Sequence, residues 1–266
     1  MRADKYFSEK FGSRTKAAEA IERGLVLVNG KTVKPKDEIK ENDEITFVEV
    51  KDLFVSNGGY KLARAIDTFH LSCKDKIFAD IGASTGGFTD CLLQNGAKKV
   101  YAVDVGESLL HESLIGDKRI VPMENTNARY LKKEDFQDNI DGVVTDVSFI
   151  SLRLILPVIK SILTENGEAV VLIKPQFECE NKNIGKSGIV HTSAHPKIVE
   201  KVLSFATENG LFPFGITNAP LRKGKNIEYV LWLKPQYQGA KSVARIVEEV
   251  KNLLTNITTE RKTRDA

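Results

Sequence analysis

Hydrophobic and polar positions follow two different rhythms along this chain, with a break near residue 60. In the first part the apolar runs are short. Ala17, Ala18 and Ile21 mark one face of a helix predicted over 14–23, which Ser13 can cap and Gly24 can stop. A strand follows over 25–28. Asn29-Gly30 is a hairpin-turn signal, the return begins at 31–33, and a further strand spans 44–48. These elements make residues 1–50 a compact unit. A unit of about fifty residues is near the lower limit for independent stability. Residues 51–60 read as a linker ending in Gly58-Gly59-Tyr60, where paired glycines allow a sharp turn.

From residue 61 the rhythm becomes an alternation of helices and buried strands. Helices are predicted over 61–69, 88–95, 152–163 and 196–209, and strands over 77–81, 99–104, 142–146 and 168–174. Two more strands, 215–218 and 227–233, have no helix between them and predict an antiparallel hairpin. Such alternation means an α/β fold, a mostly parallel sheet covered by helices on both faces. The tail repeats apolar residues at helical spacing (Val243, Ile246, Val247, Val250, Leu253, Leu254, Ile257), a stripe suited to packing on the sheet or to a partner surface.

Composition adds limits. The 266 residues are 41% hydrophobic and 28% charged, an ordinary folded composition. No apolar run reaches the roughly 18 residues a membrane helix needs, and no apolar signal segment follows the polar first residues. The three cysteines, Cys73, Cys91 and Cys179, have no short spacing, so neither a disulfide framework nor a zinc site is expected, and a reducing cytoplasm is. The net charge of +3 conceals a local asymmetry: residues 1–36 carry +5 and residues 37–50 carry −5. One basic face on a small unit suits phosphates, though a solvated helix surface gives the same count.

The run from Ser13 to Ile21, followed by Gly24-Leu25-Val26-Leu27-Val28-Asn29-Gly30, resembles an S4-type RNA-binding domain. The resemblance implies a small α+β unit gripping structured RNA, with Arg2, Lys5, Ser13, Arg14 and Lys16 as its RNA-binding candidates. Ala3 departs from the more usual Leu, which concerns packing more than binding.

The segment Ala79-Asp80-Ile81-Gly82-Ala83-Ser84-Thr85-Gly86-Gly87-Phe88-Thr89 links a strand to a helix, and its glycines let backbone N–H groups approach a ligand. Ser84 replaces the second glycine of the dinucleotide pattern G-x-G-x-x-G, which disfavours phosphate binding. Asp104, at the end of the next strand, can accept hydrogen bonds from both ribose hydroxyls. Together these residues resemble the cofactor site of S-adenosylmethionine-dependent methyltransferases. That likeness makes Asp80, Gly82, Ala83, Ser84, Thr85, Gly86, Gly87, Phe88, Asp104, Asn127 and Asp146 the cofactor-binding candidates, with Asn127 near the adenine. The same loop also matches the nucleophile elbow G-x-S-x-G, with Asp146 and His191 or His195 in hydrolase order. Both histidines lie in a polar segment without an oxyanion motif, which weighs against that reading.

Four charged residues stand beside apolar strands or glycine turns: Lys61, Asp146, Lys174 and Glu228. Lys174 ends an apolar strand and is expected at the carboxyl edge of the sheet, where ligands of such folds bind. The set resembles the Lys-Asp-Lys-Glu tetrad of ribose 2′-O-methyltransferases. A lysine beside another cation has a lowered pKa and can take the proton of a 2′-hydroxyl. On this reading Lys174 is the base, Lys61 and Asp146 position the hydroxyl, Glu228 holds the lysines, and no metal is required.

An S4-type domain joined to an FtsJ-like, Rossmann-like methyltransferase domain over 61–266 resembles the TlyA family, often labelled hemolysin A. The strings that carry the resemblance include Gly58-Gly59-Tyr60-Lys61-Leu62, Thr126-Asn127-Ala128-Arg129, Asp146-Val147-Ser148-Phe149-Ile150-Ser151-Leu152 and Lys174-Pro175-Gln176-Phe177-Glu178. Asn57 departs from the usual Arg before the paired glycines. The resemblance implies a cytoplasmic ribosomal RNA cytidine 2′-O-methyltransferase that uses S-adenosylmethionine and acts on ribosomal RNA or subunits. An RNA-binding assembly factor without methyl transfer and a membrane-active hemolysin are the alternatives.

Overall fold

A computed structural model describes residues 1–22, 24–48 and 53–265, with the side chains of Lys16, Glu19, Asn181 and residues 260–265 outside the description. The expected role of Lys16 therefore falls outside the described residues, as do Arg23 at the end of the first predicted helix, residues 49–50 at the end of the expected first unit and residues 51–52 of the expected linker. The chain divides into two compact units, Met1–Leu53 and Phe54–Ala266.

The first unit contains a short helix α1 (Ala3–Tyr6), a helix α2 (Arg14–Glu22), and strands β1 (Val26–Val28), β2 (Lys31–Thr32) and β3 (Ile45–Phe47). The strands form an antiparallel sheet in the order β2-β1-β3. Ala3, Phe7, Ala17, Ile21, Val26, Val28 and Ile39 close its core. Helix α1, at four residues, is too short to leave a periodic pattern in the sequence.

The second unit is built on a seven-stranded sheet. Its elements in chain order are α3 (Asn57–Phe69), β4 (Ile77–Ile81), α4 (Gly87–Gln94), β5 (Lys99–Val103), β6 (Ile120–Met123), β7 (Ile140–Thr145), α5 (Leu156–Ile162), β8 (Leu163–Ile173), α6 (Pro175–Glu178), α7 (His195–Glu208), β9 (Phe212–Asn218), β10 (Tyr229–Lys234) and α8 (Val243–Asp265). Strand order is β6-β5-β4-β7-β8-β10-β9. Strands β4 to β8 pair in parallel, and β10 runs antiparallel to both β8 and β9. The expected mostly parallel sheet with an antiparallel last hairpin is thus present.

Side-chain alternation explains why both faces must be covered. In β4, Ala79 and Ile81 enter the core under α5, α7 and α8, while Phe78 enters the core under α3 and α4. In β10, Tyr229, Leu231 and Leu233 take the first face and Val230 the second. Ile246, Val250 and Ile257 of α8 are buried in the first core, so the tail's apolar stripe packs against the sheet.

Three differences from the sequence reading have physical causes. Helix α3 begins at Asn57 rather than 61, with Ser56 as its cap, so the paired glycines lie in a helical first turn and not in a linker. A Cβ on Gly59 would meet the Phe54 ring at 2.3 Å, and one on Gly87 would meet Ser56 Oγ at 2.1 Å. Close packing of α3 and the segment before it on α4 therefore uses these glycines. Second, the helix expected over 152–163 is a 3₁₀ turn at Leu152–Leu154 followed by α5, because Pro157 near the start of α5 has no N–H to continue an earlier helix. Third, β6 was missed because its segment contains Pro122, which an edge strand tolerates. Among the described residues, no helix is long and apolar enough to cross a membrane.

Candidate active site

The carboxyl edge of the sheet brings the four charged candidates together. Lys61 lies in the first turns of α3. Its position is set by Asp90 in α4, whose Oδ2 accepts from Val55 N at 2.8 Å, just ahead of the α3 cap. Asp146 directly follows β7 and Lys174 directly follows β8. Glu228 precedes β10, and the pairing of Tyr229 with Ile173 sets it across from Lys174's strand end. Because β10 is antiparallel, its start rather than its end reaches this edge.

The side chains form one ion-paired row. Lys61 Nζ lies 2.8 Å from Glu228 Oε2 and 3.0 Å from Asp146 Oδ2. Lys174 Nζ lies 2.7 Å from Asp146 Oδ1, an ion pair without hydrogen-bond alignment. It donates instead to Ser148 Oγ at 2.7 Å and to the Asp146 carbonyl at 3.3 Å. Lys174 is the most buried of the four, with 9% of its side chain exposed. Asp146 bridges both lysines, whereas Glu228 contacts Lys61 and not Lys174, which corrects the expectation that Glu228 holds both. Lys61 is the lysine expected to position the hydroxyl rather than to act as base. Burial alone would lower its pKa, but the Asp146 and Glu228 carboxylates outweigh burial and the net shift is upward. Lys61 is therefore an ammonium throughout the neutral range.

Beside this row lies a cavity of about 380 Å³. Gly82, Ser84, Asp104, Asn127 and Asp146, all candidates from sequence, line it. Asp104 is held by its own loops: Oδ2 accepts from Ser84 N at 2.8 Å and Oδ1 from Gly106 N at 2.9 Å. Asn127 Oδ1 accepts from Arg129 N at 3.1 Å, shaping the turn that walls the cavity. Thr126, Ala128, Arg129, Val147, Ser148 and Ile150 also line it, and nothing in composition or periodicity marks them as cavity residues.

Asp80, Ala83, Thr85, Gly86, Gly87 and Phe88 are not among the lining residues. Ala83 and Phe88 are core side chains. The loop's N–H groups are largely used internally. Gly82 N and Ala83 N donate to the Val103 carbonyl, Gly86 N to the Ala83 carbonyl, and Ser84 N to Asp104. The loop therefore shapes the cavity rather than offering those donors to a ligand, which corrects the sequence reading. Gly82 and Gly86 have φ of +83° and +87°, and a Cβ on Gly86 would come within 2.4 Å of Leu114 Cδ1.

Asp80 sits beneath this loop, fully enclosed. Its Oδ2 accepts from Thr89 Oγ1 at 2.7 Å, while Oδ1 is buried without a hydrogen-bond partner. Burial pushes its carboxyl up to about 7, against the opposing Thr89 hydrogen bonds. The hydrolase alternative finds no triad. Asp146 is held by the two lysines, and His195 Nδ1 is buried 2.8 Å from Tyr229 Oη.

In the first unit, Asp4 gathers the basic candidates. Its Oδ2 lies 2.9 Å from Arg2 and 3.1 Å from Arg14, and its carboxyl pKa is lowered by the Arg2 hydrogen bond and then Arg14, against burial. Both arginine side chains stay more than half exposed, and Lys5 is exposed. Ser13 immediately precedes α2.

Family models match both units: the FtsJ-like methyltransferase model over residues 54–235 and the S4 domain model over residues 1–45. The chain belongs to the TlyA and hemolysin A family of FtsJ-like methyltransferases. Hemolysin A of Brachyspira hyodysenteriae is 45% identical over 237 residues, covering 86% of this chain and 98% of that protein. The 16S/23S rRNA (cytidine-2′-O)-methyltransferase TlyA of Mycobacterium tuberculosis is 38% identical over 242 residues, 90% of each chain. A solved structure described as a hemolysin from Streptococcus thermophilus superposes with a TM-score of 0.74 at 39% identity, covering 97% of this chain and 98% of that one.

As an FtsJ-like methyltransferase, the protein takes S-adenosylmethionine as its cofactor. The residues present fit that group. The charged lining of the cavity is two carboxylates, Asp104 and Asp146, against one cation, Arg129. Asp80, two residues before the lining Gly82, keeps one buried oxygen without a hydrogen-bond partner. Net negative surroundings suit a ligand carrying a sulfonium and an ammonium group.

Proposed function

We propose that this FtsJ-like methyltransferase methylates the ribose 2′-hydroxyl of cytidine in ribosomal RNA, in the cytoplasm, with Lys61, Asp146, Lys174 and Glu228 as its catalytic residues. The observation that carries this reading is the unbroken row Glu228–Lys61–Asp146–Lys174 at the edge of the cofactor cavity. The similarity to a relative named as a cytidine 2′-O-methyltransferase supports the same acceptor here.

A ribose hydroxyl is a weak nucleophile, so a base must take its proton as it attacks. When bound, S-adenosylmethionine supplies an electrophilic methyl group on sulfur. Lys174 is the base: its Nζ is buried, faces Asp146 and Ser148, and takes the hydroxyl proton. Lys61 stays protonated and orients the hydroxyl oxygen, since its carboxylate neighbours hold its pKa up despite burial. Asp146 fixes the spacing of the two lysines, and Glu228 anchors Lys61 from the other side. Asp104 would hold the cofactor ribose and Asn127 the adenine end, while the 82–88 loop, over the buried Asp80, would shape the wall at the amino-acid end.

Two observations support an RNA acceptor. Arg2 and Arg14, arrayed by Asp4, present exposed cations to phosphates together with Lys5, and Ser13 and Lys16 complete the RNA-binding set that the S4-type resemblance implies. Phe149 is 91% exposed, holds φ of +61°, and packs at 5.0 Å from Phe177 between the two tetrad strings. A bulky residue held in that backbone region at a site mouth is costly, and its open ring suits stacking on an unstacked base.

The test is to incubate the protein with methyl-labelled S-adenosylmethionine and unmodified ribosomal subunits, then digest the RNA to nucleosides. Label in 2′-O-methylcytidine is expected. Label in another nucleoside, or in none, refutes the assignment.

A further inference from the structure

The ion-paired row has two different ends. At the Asp146 end is the cofactor cavity with its acidic lining. At the Glu228 end is a separate cleft of about 250 Å³, whose polar lining residues are Lys61, Gln176, Arg222, Lys225, Asn226 and Glu228. Its lining charge is the reverse of the cavity's: three cations against one carboxylate. A cationic cofactor is therefore disfavoured in the cleft and an anion is favoured.

The basic wall belongs to the connection between β9 and β10, which reads Pro220-Leu221-Arg222-Lys223-Gly224-Lys225-Asn226. This connection is tied down at its end. Asn226 Oδ1 accepts from Val190 N at 2.8 Å, and Asn226 Nδ2 donates to the Gly188 carbonyl at 3.0 Å. Lys225 N closes a turn to the Arg222 carbonyl at 3.3 Å. Lys225 thus stands next to an anchored residue, exposed, and makes no ion pair among the described residues. Gln176, two residues past Lys174, lines the same cleft, and its Oε1 is buried without a hydrogen-bond partner. A buried acceptor left unsatisfied is a deficit that a ligand N–H or O–H removes.

We infer that this cleft is a binding subsite for the RNA phosphodiester on the 3′ side of the target ribose, with Lys225 and Arg222 as its cationic partners and Gln176 as a hydrogen-bonding partner of the same nucleotide. The inference rests on the RNA-acceptor reading above. A ribose whose 2′-hydroxyl meets the lysine pair carries its 3′-phosphate on the adjacent ring carbon, so that phosphate must sit beside the row. The cofactor takes the Asp146 end, and the Glu228 end holds the net positive charge. Lys61 links the two, touching the hydroxyl site and lining the cleft.

The experiment titrates the full chain, saturated with S-adenosylhomocysteine, with cytidine 3′-monophosphate and separately with cytidine, following backbone amide shifts. The phosphate-bearing probe should shift Lys61, Gln176 and residues 221–228, and bind about tenfold tighter than cytidine. Lys225→Ala should abolish that difference. Lys223→Ala, on the same connection but outside the cleft lining, should keep most of it. Equal losses in the two variants would mean diffuse attraction and would overturn the subsite, as would shifts centred elsewhere. With ribosomal subunits as substrate, Lys225→Ala should raise the RNA KM about tenfold and reduce the salt slope by about one. A wild-type chain that methylates no RNA defeats the acceptor reading, while the nucleotide titration still decides the cleft.

Discussion

Replacing Lys174 by Arg separates charge from basicity. The Lys174–Asp146 contact is 2.7 Å, close enough for a cation at this position to pair with the Asp146 carboxylate. A guanidinium keeps that attraction and can still donate to Ser148, so the row should stay assembled. It cannot release a proton near neutral pH and so cannot serve as a base. Loss of a general base costs about 10²–10⁴ in rate, or ~2.7–5.5 kcal/mol of barrier. Lys61→Arg is the contrasting variant. Lys61 is held protonated by Asp146 and Glu228, so only its positioning is disturbed and a smaller loss, about tenfold, is expected. The assay is single-turnover methyl transfer at saturating cofactor and RNA. Binding of S-adenosylhomocysteine by calorimetry checks that the larger side chain leaves the cavity intact. If Lys174→Arg keeps more than about a tenth of the wild-type rate, or if Lys61→Arg is equally damaged, Lys174 is not the base.

Other consequences follow from the same geometry. Burial raises the Asp80 carboxyl from its ordinary 3.8 to about 7, so the folded state holds a proton that the unfolded state releases. The corresponding stability is complete below the unfolded value and is lost as pH rises through about 7. Cofactor affinity should move oppositely, because ionised Asp80 attracts a cationic ligand. Melting between about pH 4 and 7 and calorimetry between about pH 6 and 8 should show the two trends, and Asp80→Asn should flatten them. Gly59→Ala should destabilise the chain by about 1–3 kcal/mol through its 2.3 Å clash with Phe54, while Gly58→Ala, whose nearest neighbour is 3.4 Å away, should be near neutral in urea unfolding. Arg14→Ala should weaken RNA binding and lower its salt slope by about one without changing cofactor affinity. Parallel loss of cofactor binding would mean that the change acts through folding.

Much of the architecture was legible because alternation is local. Buried strands such as 77–81 and 168–174 announce themselves by unbroken apolar runs, and a helix between them requires a parallel crossover. Lys174 was legible for the same reason, as a charge ending such a run. The edge strand β6 was not, since Pro122 interrupts its pattern and an edge needs only one row of hydrogen bonds. Gly58 and Gly59 read as a linker because sequence shows glycine's freedom but not what the glycine packs against.

By itself the sequence determined the two-unit organisation, the α/β class and the charged residues proposed for methyl transfer, because each is encoded in short-range pattern or in motif strings. Tertiary structure decided which charges meet. Asp146 rather than Glu228 bridges the two lysines, and this follows from the order β7-β8-β10 together with the antiparallel sense of β10. It also decided that the glycine loop consumes most of its own N–H groups, that Asp80 is buried beneath it with one oxygen unpaired, and that the two cavities beside the row carry opposite charge. Burial and charge pairing depend on side chains drawn from distant strands, whose meeting is fixed by strand order and register and leaves no trace in any local window of the chain.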